Sequence, residues 1–211
     1  MNGFFGAKKV LGILIASYRK GSSETKRGLS TLLKMGMLSS DTRFSNGIAT
    51  KGASSIFDFQ TGGADSVYTQ MVTAQNCADN MPLDNLFYDG KVRLSISLKA
   101  LETGPYQYYN DSFGSRSGFV YAERPSLFEF IENHHQEADG GHELCFKERI
   151  SPDLIDGLIV EDTNTREQLL DYLRKADIIQ TNARGEQIVL NRPVDQFVRV
   201  GTNASEKLFQ I

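Results

Sequence analysis

With 211 residues, 40% of them hydrophobic, the chain is sized for one domain spanning residues 1–211, with a real core. Its formal net charge of −3 is unevenly spread: residues 1–60 carry nine Lys and Arg against three Asp and Glu, residues 61–211 carry 14 against 23. The first third therefore offers either a basic face suited to a phosphate-bearing ligand or a solvated helix. Two cysteines, Cys77 and Cys145, are too few for a disulfide framework and fit a reducing, cytoplasmic setting.

The apolar run Val10–Ser17 follows two lysines, like a signal peptide. It lacks a small-x-small cleavage site and is far shorter than the ~20 residues that span a bilayer, so it reads as a buried strand and no membrane is implied. Gly21-Ser22-Ser23 caps a helix over Glu24–Met35, with Leu29, Leu32 and Leu33 at helical spacing and Gly36 as its stop. Residues 37–64 are rich in Ser, Thr, Gly and Asn and read as a long irregular segment, the kind that carries function. Asp65–Thr73 alternates: Val67, Thr69, Met71 and Thr73 share one face, Ser66, Tyr68, Gln70 and Val72 the other. Lys91–Ser97 is a strand, residues 102–118 a Tyr-, Gly- and Ser-rich loop, and Pro125–His134 a short helix. Strands over Glu143–Phe146 and Leu158–Glu161 follow, then a helix over Asn164–Ala176. Ile188–Leu190 and Gln196–Val200 are expected to finish the sheet. The order is that of a mixed α+β chain, without strict βαβ alternation.

No phosphate loop, dinucleotide fingerprint, His-Glu-x-x-His helix or nucleophile elbow is present. His134, His135 and His142 cluster near Cys145, but their irregular spacing beside Asp139-Gly140-Gly141 fits a solvated loop better than a metal centre, and no metal is expected. Glu143 opens a half-apolar strand, where a carboxylate is costly to desolvate without a partner or a task. Taken singly, Glu143 and Arg43 read as surface residues and Tyr68 as a core aromatic.

Their joint order changes this. Leu32 to Arg43 resembles the helix, Gly-x-Leu and arginine opening of the ADP-ribosyltransferases, most closely the DarT-like branch, whose members modify nucleic acid. Gly62-Gly63 through Tyr68-Thr69 is similar to that family's aromatic second strand, and His142-Glu143-Leu144 with the following Ser151-Pro152 turn to its catalytic-glutamate strand. The resemblance implies a split mixed β-sheet core with flanking helices and a long NAD-side loop. It implies NAD as substrate, with Arg43 on the pyrophosphate, Tyr68 on the nicotinamide side, Ser17 in the first-strand NAD position and Glu143 catalytic. Glu143 would bond the nicotinamide-side ribose and stabilise the oxocarbenium-like charge as nicotinamide leaves.

Two positions depart from the family. The first strand of many relatives places a His or Arg on the NAD, where this chain offers only Ser17, Tyr18 and Arg19, and Gly141 stands where arginine-modifying members carry Glu or Gln. The resemblance thus points away from arginine acceptors and leaves a nucleic acid, such as a nucleobase, or another protein group open as acceptor. A toxin or effector role with a neutralising partner protein follows at family level. The competing readings are a non-catalytic binding domain, with Arg43 and Glu143 as a structural ion pair, and a metal-assisted hydrolase using the histidines.

Overall fold

Apolar residues at every second position build the centre of this molecule. In the computed structural model, which describes residues 10–18, 23–48, 63–83, 92–109, 119–122 and 143–209, eight strands form one mixed sheet. They are β1 (Val10–Tyr18), β3 (Ser66–Thr73), β4 (Val92–Ile96), β5 (Tyr106–Tyr109), β6 (Phe119–Ala122), β7 (Glu143–Lys147), β9 (Ile155–Val160) and β13 (Val198–Val200). Their order is β13-β9-β4-β1-β3-β7-β5-β6. Every pairing is antiparallel except β13 with β9, which is parallel.

Period-two alternation divides the sheet into two unlike faces. Val67 and Met71 on β3, Leu94 and Ile96 on β4, Leu144 and Phe146 on β7, and Leu158 and Val160 on β9 enter the main core. That core is closed by α1 (Ser23–Met35) through Leu29 and Leu33, and by α5 (Thr163–Lys175) through Leu169, Leu170 and Leu173. Asp162 caps α5: its side chain accepts from the Thr165 N–H at 2.7 Å. On the opposite face Val72 and Ile159 pack under Leu208 and Phe209 of a C-terminal helical turn, α7 (Glu206–Phe209). Buried Arg199 holds this turn by donating from Nη1 to the Leu208 carbonyl at 2.5 Å. Desolvation pushes Arg199 down to about 10, with Arg192 acting in the same direction and Asp156 against it.

Several stretches differ from their expected form. Residues 37–64 are not wholly irregular. Met37–Leu38 forms β2, paired with β8 (Arg149–Ile150), and Ser40–Ser45 forms a short helix, α2. The expected loop over residues 102–118 contains the end of α4 (Ala100–Thr103) and all of β5. Aromatic β-formers prevail there over the Gly and Ser content, because Tyr106 is buried against Phe146, with ring centroids 5.8 Å apart. Ile188 does not extend the main sheet. It lies in β11 (Gln187–Val189), the middle of a separate three-stranded meander with β10 (Gln180–Thr181) and β12 (Arg192–Pro193). Gln196 belongs to the helical turn α6 (Val194–Phe197) rather than to β13, because Pro193 and Phe197 fold the chain before the last strand starts. A further turn, α3 (Ala74–Ala78), leaves β3. The expected helix Pro125–His134 lies outside the described residues.

Candidate active site

Strand register sets the site. On the face opposite the main core, β3 presents Ser66, Tyr68 and Gln70, and β7 presents Lys147, Cys145 and Glu143, paired in that order. Tyr68 and Glu143 are therefore diagonal neighbours on adjacent strands, about 7–8 Å apart between backbone positions. Both are half-buried. Cys145, directly opposite Tyr68 on β7, is fully buried.

Tyr68 is oriented by its hydroxyl, which donates to the Gly63 carbonyl at 2.9 Å. That bond aims the ring back along β3, toward the turn before the strand. The same turn is bonded to α2, the helix that carries Arg43. This helix is capped by Ser39, whose Oγ accepts from the Thr42 N–H at 3.1 Å. The Asp41 N–H then donates to the Ala64 carbonyl at 2.8 Å, and the Ser39 N–H to the Glu148 carbonyl at 2.8 Å. The Glu148 N–H returns to the Asp65 carbonyl at 2.7 Å, and Lys147 Nζ meets Asp65 Oδ2 at 2.7 Å. With 30% and 47% of the two side chains exposed, that ion pair contributes well under about 1 kcal/mol. The backbone bonds are what fix α2, and half-buried Arg43 with it.

Ser17 lies within the irregularity of β1 between Ile15 and Tyr18. Because β1 runs antiparallel to β3, this end of β1 lies at the end of the sheet where β3 starts and α2 docks. The structure thus groups the regions of Ser17 and Arg43 at one end of the β3–β7 pair. Glu143 stands four residues further along, roughly 13 Å at 3.3 Å per residue.

Two features here are weakly signalled in the sequence. One is α2, signalled only by the Ser39-x-x-Thr42 spacing of a cap. The other is Gln70, whose alternation puts it on the Tyr68 face but whose position directly opposite Glu143 is a matter of register. Among the described residues, no group of three or more His, Cys, Asp or Glu side chains could hold a metal ion; His134, His135 and His142 lie outside them. Cys77 and Cys145 are not joined in a disulfide, and no described helix is long and apolar enough to cross a membrane. A cavity of about 280 Å³, lined by Thr103, Lys147, Arg149, Ser151 and Asp153 among others, opens beside the β7–β8 turn and includes none of the candidates Ser17, Arg43, Tyr68 and Glu143.

The architecture is an ADP-ribosyltransferase-like fold of the DarT type. No protein-family profile and no curated protein matches the sequence, whereas solved structures do. Thermus sp. 2.9 DarT in complex with ADP-ribosylated ssDNA matches with a TM-score of 0.55 at 13% identity, over 92% of this chain and 98% of that one. The same protein in complex with NAD+ gives 0.53 at 13% identity, over 92% and 96%. Thermosipho africanus DarTG in complex with ADP-ribose gives 0.54 at 10% identity, over 94% of this chain and 50% of that one. The chain therefore spans about half the length of the DarTG protein.

Proposed function

We propose that this protein is an NAD-dependent ADP-ribosyltransferase. The observation that carries the reading is the placement of Tyr68 and Glu143 as diagonal neighbours on one face of β3 and β7, in a fold of the DarT type, with the Arg43 helix bonded to the start of the same strand. NAD lies along this pair of strands. Its pyrophosphate is at the α2 end, where a guanidinium fork suits phosphate oxygens. Its nicotinamide ribose is toward Glu143, past the ring of Tyr68, and Ser17 contributes from β1.

The glycosidic C1′–N1 bond breaks, and nicotinamide leaves with the electron pair. Positive charge develops at C1′ and the ring oxygen, where an anion held at a half-buried position stabilises the transition state more than the ground state. A nucleophilic atom of the acceptor then bonds C1′, and its proton passes to Glu143 or to solvent. The acceptor we favour is single-stranded nucleic acid. The DarT match was solved with ADP-ribosylated ssDNA, and the basic first third of this chain suits a polyanion. A chemistry of this kind damages its host, which gives a toxin or effector role and a neutralising partner their place in the proposal.

The test is nicotinamide release from NAD by wild type and Glu143→Gln, with and without single-stranded DNA, RNA and cell lysate. Release abolished by Glu143→Gln supports the reading, and the additive that accelerates it identifies the acceptor class. Absence of both turnover and an NAD-induced thermal shift assigns the protein instead to non-catalytic binding.

A further inference from the structure

Glu143 is the first residue of β7, half-buried at the head of the strand. Its strand neighbours are set by register: Gln70 directly opposite on β3 and Tyr109 directly opposite on β5. Directly opposed residues have Cβ atoms about 4.5–5.5 Å apart. A glutamine and a glutamate at that separation reach one another with their terminal groups in ordinary rotamers. Gln70 is half-buried, like Glu143. It also stands on rigid backbone, because the next residue on each side, Thr69 and Met71, is buried in the sheet. Thr69 is further tied across the same strand pair by its hydroxyl, which donates to the Leu144 carbonyl at 2.9 Å. An amide offers a donor without a competing charge, so it can hold a carboxylate without neutralising it.

We propose that Gln70 is the positioning residue of the site, its side-chain amide donating to the Glu143 carboxylate and fixing which oxygen faces the nicotinamide ribose. The catalytic role of Glu143 on which this rests is the function proposed above. The orientation matters because an electrostatic stabiliser a few tenths of an ångström out of place loses much of its effect. Gln70 acts through Glu143 and leaves the hold on the pyrophosphate unaltered.

The first arm of the test needs no turnover. The side-chain ¹⁵N–¹H₂ pair of Gln70, assigned by its loss in Gln70→Met, is followed by NMR in wild type and in Glu143→Gln. Displacement of that pair by Glu143→Gln is expected, and an unmoved pair overturns the proposal whether or not the protein consumes NAD. The second arm is a double-mutant cycle on nicotinamide release. Gln70→Met, nearly isosteric, is expected to lower kcat by roughly 10- to 100-fold, the effect of one charge-assisted hydrogen bond, with KM unchanged within about twofold. Added to Glu143→Gln, it should cost nothing more. An unchanged kcat, a loss confined to KM, or the same loss in both backgrounds overturns the proposal and leaves the transferase reading intact. An inactive wild type overturns the transferase reading, and the NMR arm still decides the contact.

Discussion

Replacing Gly36 by alanine should destabilise the protein and loosen the proposed NAD site together. Gly36 ends α1 at φ +87°, a left-handed conformation that costs a residue with a Cβ about 1–2 kcal/mol. Space is the second cost. An added Cβ would run into the carbonyl oxygen of Ile150, far inside 3.0 Å, and would sit 3.1 Å from Pro152 Cδ. The carbonyl is backbone of β8 and Ile150 is paired with Met37, so relief requires the two short strands to part. Overpacking of this kind costs about 1–3 kcal/mol more. The total of roughly 3 kcal/mol corresponds to a fall in Tm of roughly 10 °C for a chain of this size.

Gly47 provides the control. Its φ of +69° is equally left-handed, but nothing lies within 4 Å of an added Cβ, so Gly47→Ala should lose only the conformational part, about 1–2 kcal/mol. Thermal unfolding followed by circular dichroism separates the two. The loss in Gly36→Ala should also reach function, because β2 leads directly into the cap of α2 and Arg43 depends on that docking. NAD affinity, measured well below both transitions, should weaken in Gly36→Ala and hold in Gly47→Ala. Equal Tm losses would refute the steric argument at Ile150, and unchanged NAD affinity in Gly36→Ala would detach Arg43 from the β2–β8 support.

Glu143→Gln should reduce nicotinamide release by about 10²- to 10³-fold while leaving NAD affinity within a few-fold, the pattern of a group that acts in the transition state; a retained rate would remove Glu143 from the chemistry. Arg43→Ala should raise the Kd for NAD by roughly 10- to 100-fold, the value of a charged hydrogen bond to phosphate, with Arg43→Lys recovering only part because it lacks the fork. Calorimetry showing wild-type affinity in Arg43→Ala would place the pyrophosphate elsewhere. Burial pushes the Tyr106 phenol above its ordinary value of 10.0, so the folded state favours the protonated form. Its contribution is whole below pH 10 and is lost as pH rises from there toward the folded value, by up to about 1.4 kcal/mol per pH unit. Urea titrations at pH 9 to 11 should therefore show a steeper alkaline decline in wild type than in Tyr106→Phe, and parallel curves would count against the shift.

The elements with a clear period were legible in the chain itself. Val67, Met71 and Leu94 announce strands because alternating burial needs no knowledge of the neighbouring strand, and Leu29 and Leu33 announce α1 in the same way. Gly36 as the stop of that helix, and Glu143 at the head of a strand, are likewise local facts. Short elements were not legible: α2 and β2 have too few residues to show a period, and their stability comes from bonds to Ala64 and Glu148, which lie far off in sequence. Nor could the chain show that Ile188 pairs into a separate meander, since a three-residue strand looks the same in either sheet. The site divides along the same line. The residue types Arg43, Tyr68 and Glu143 and their order along the chain were visible, but only register brings Tyr68 diagonal to Glu143 and Gln70 directly opposite it. A shift of one residue in the pairing of β3 with β7 would send one set to the core face, and the burial of Val67 and Met71 on the far side of β3 is what forbids that shift.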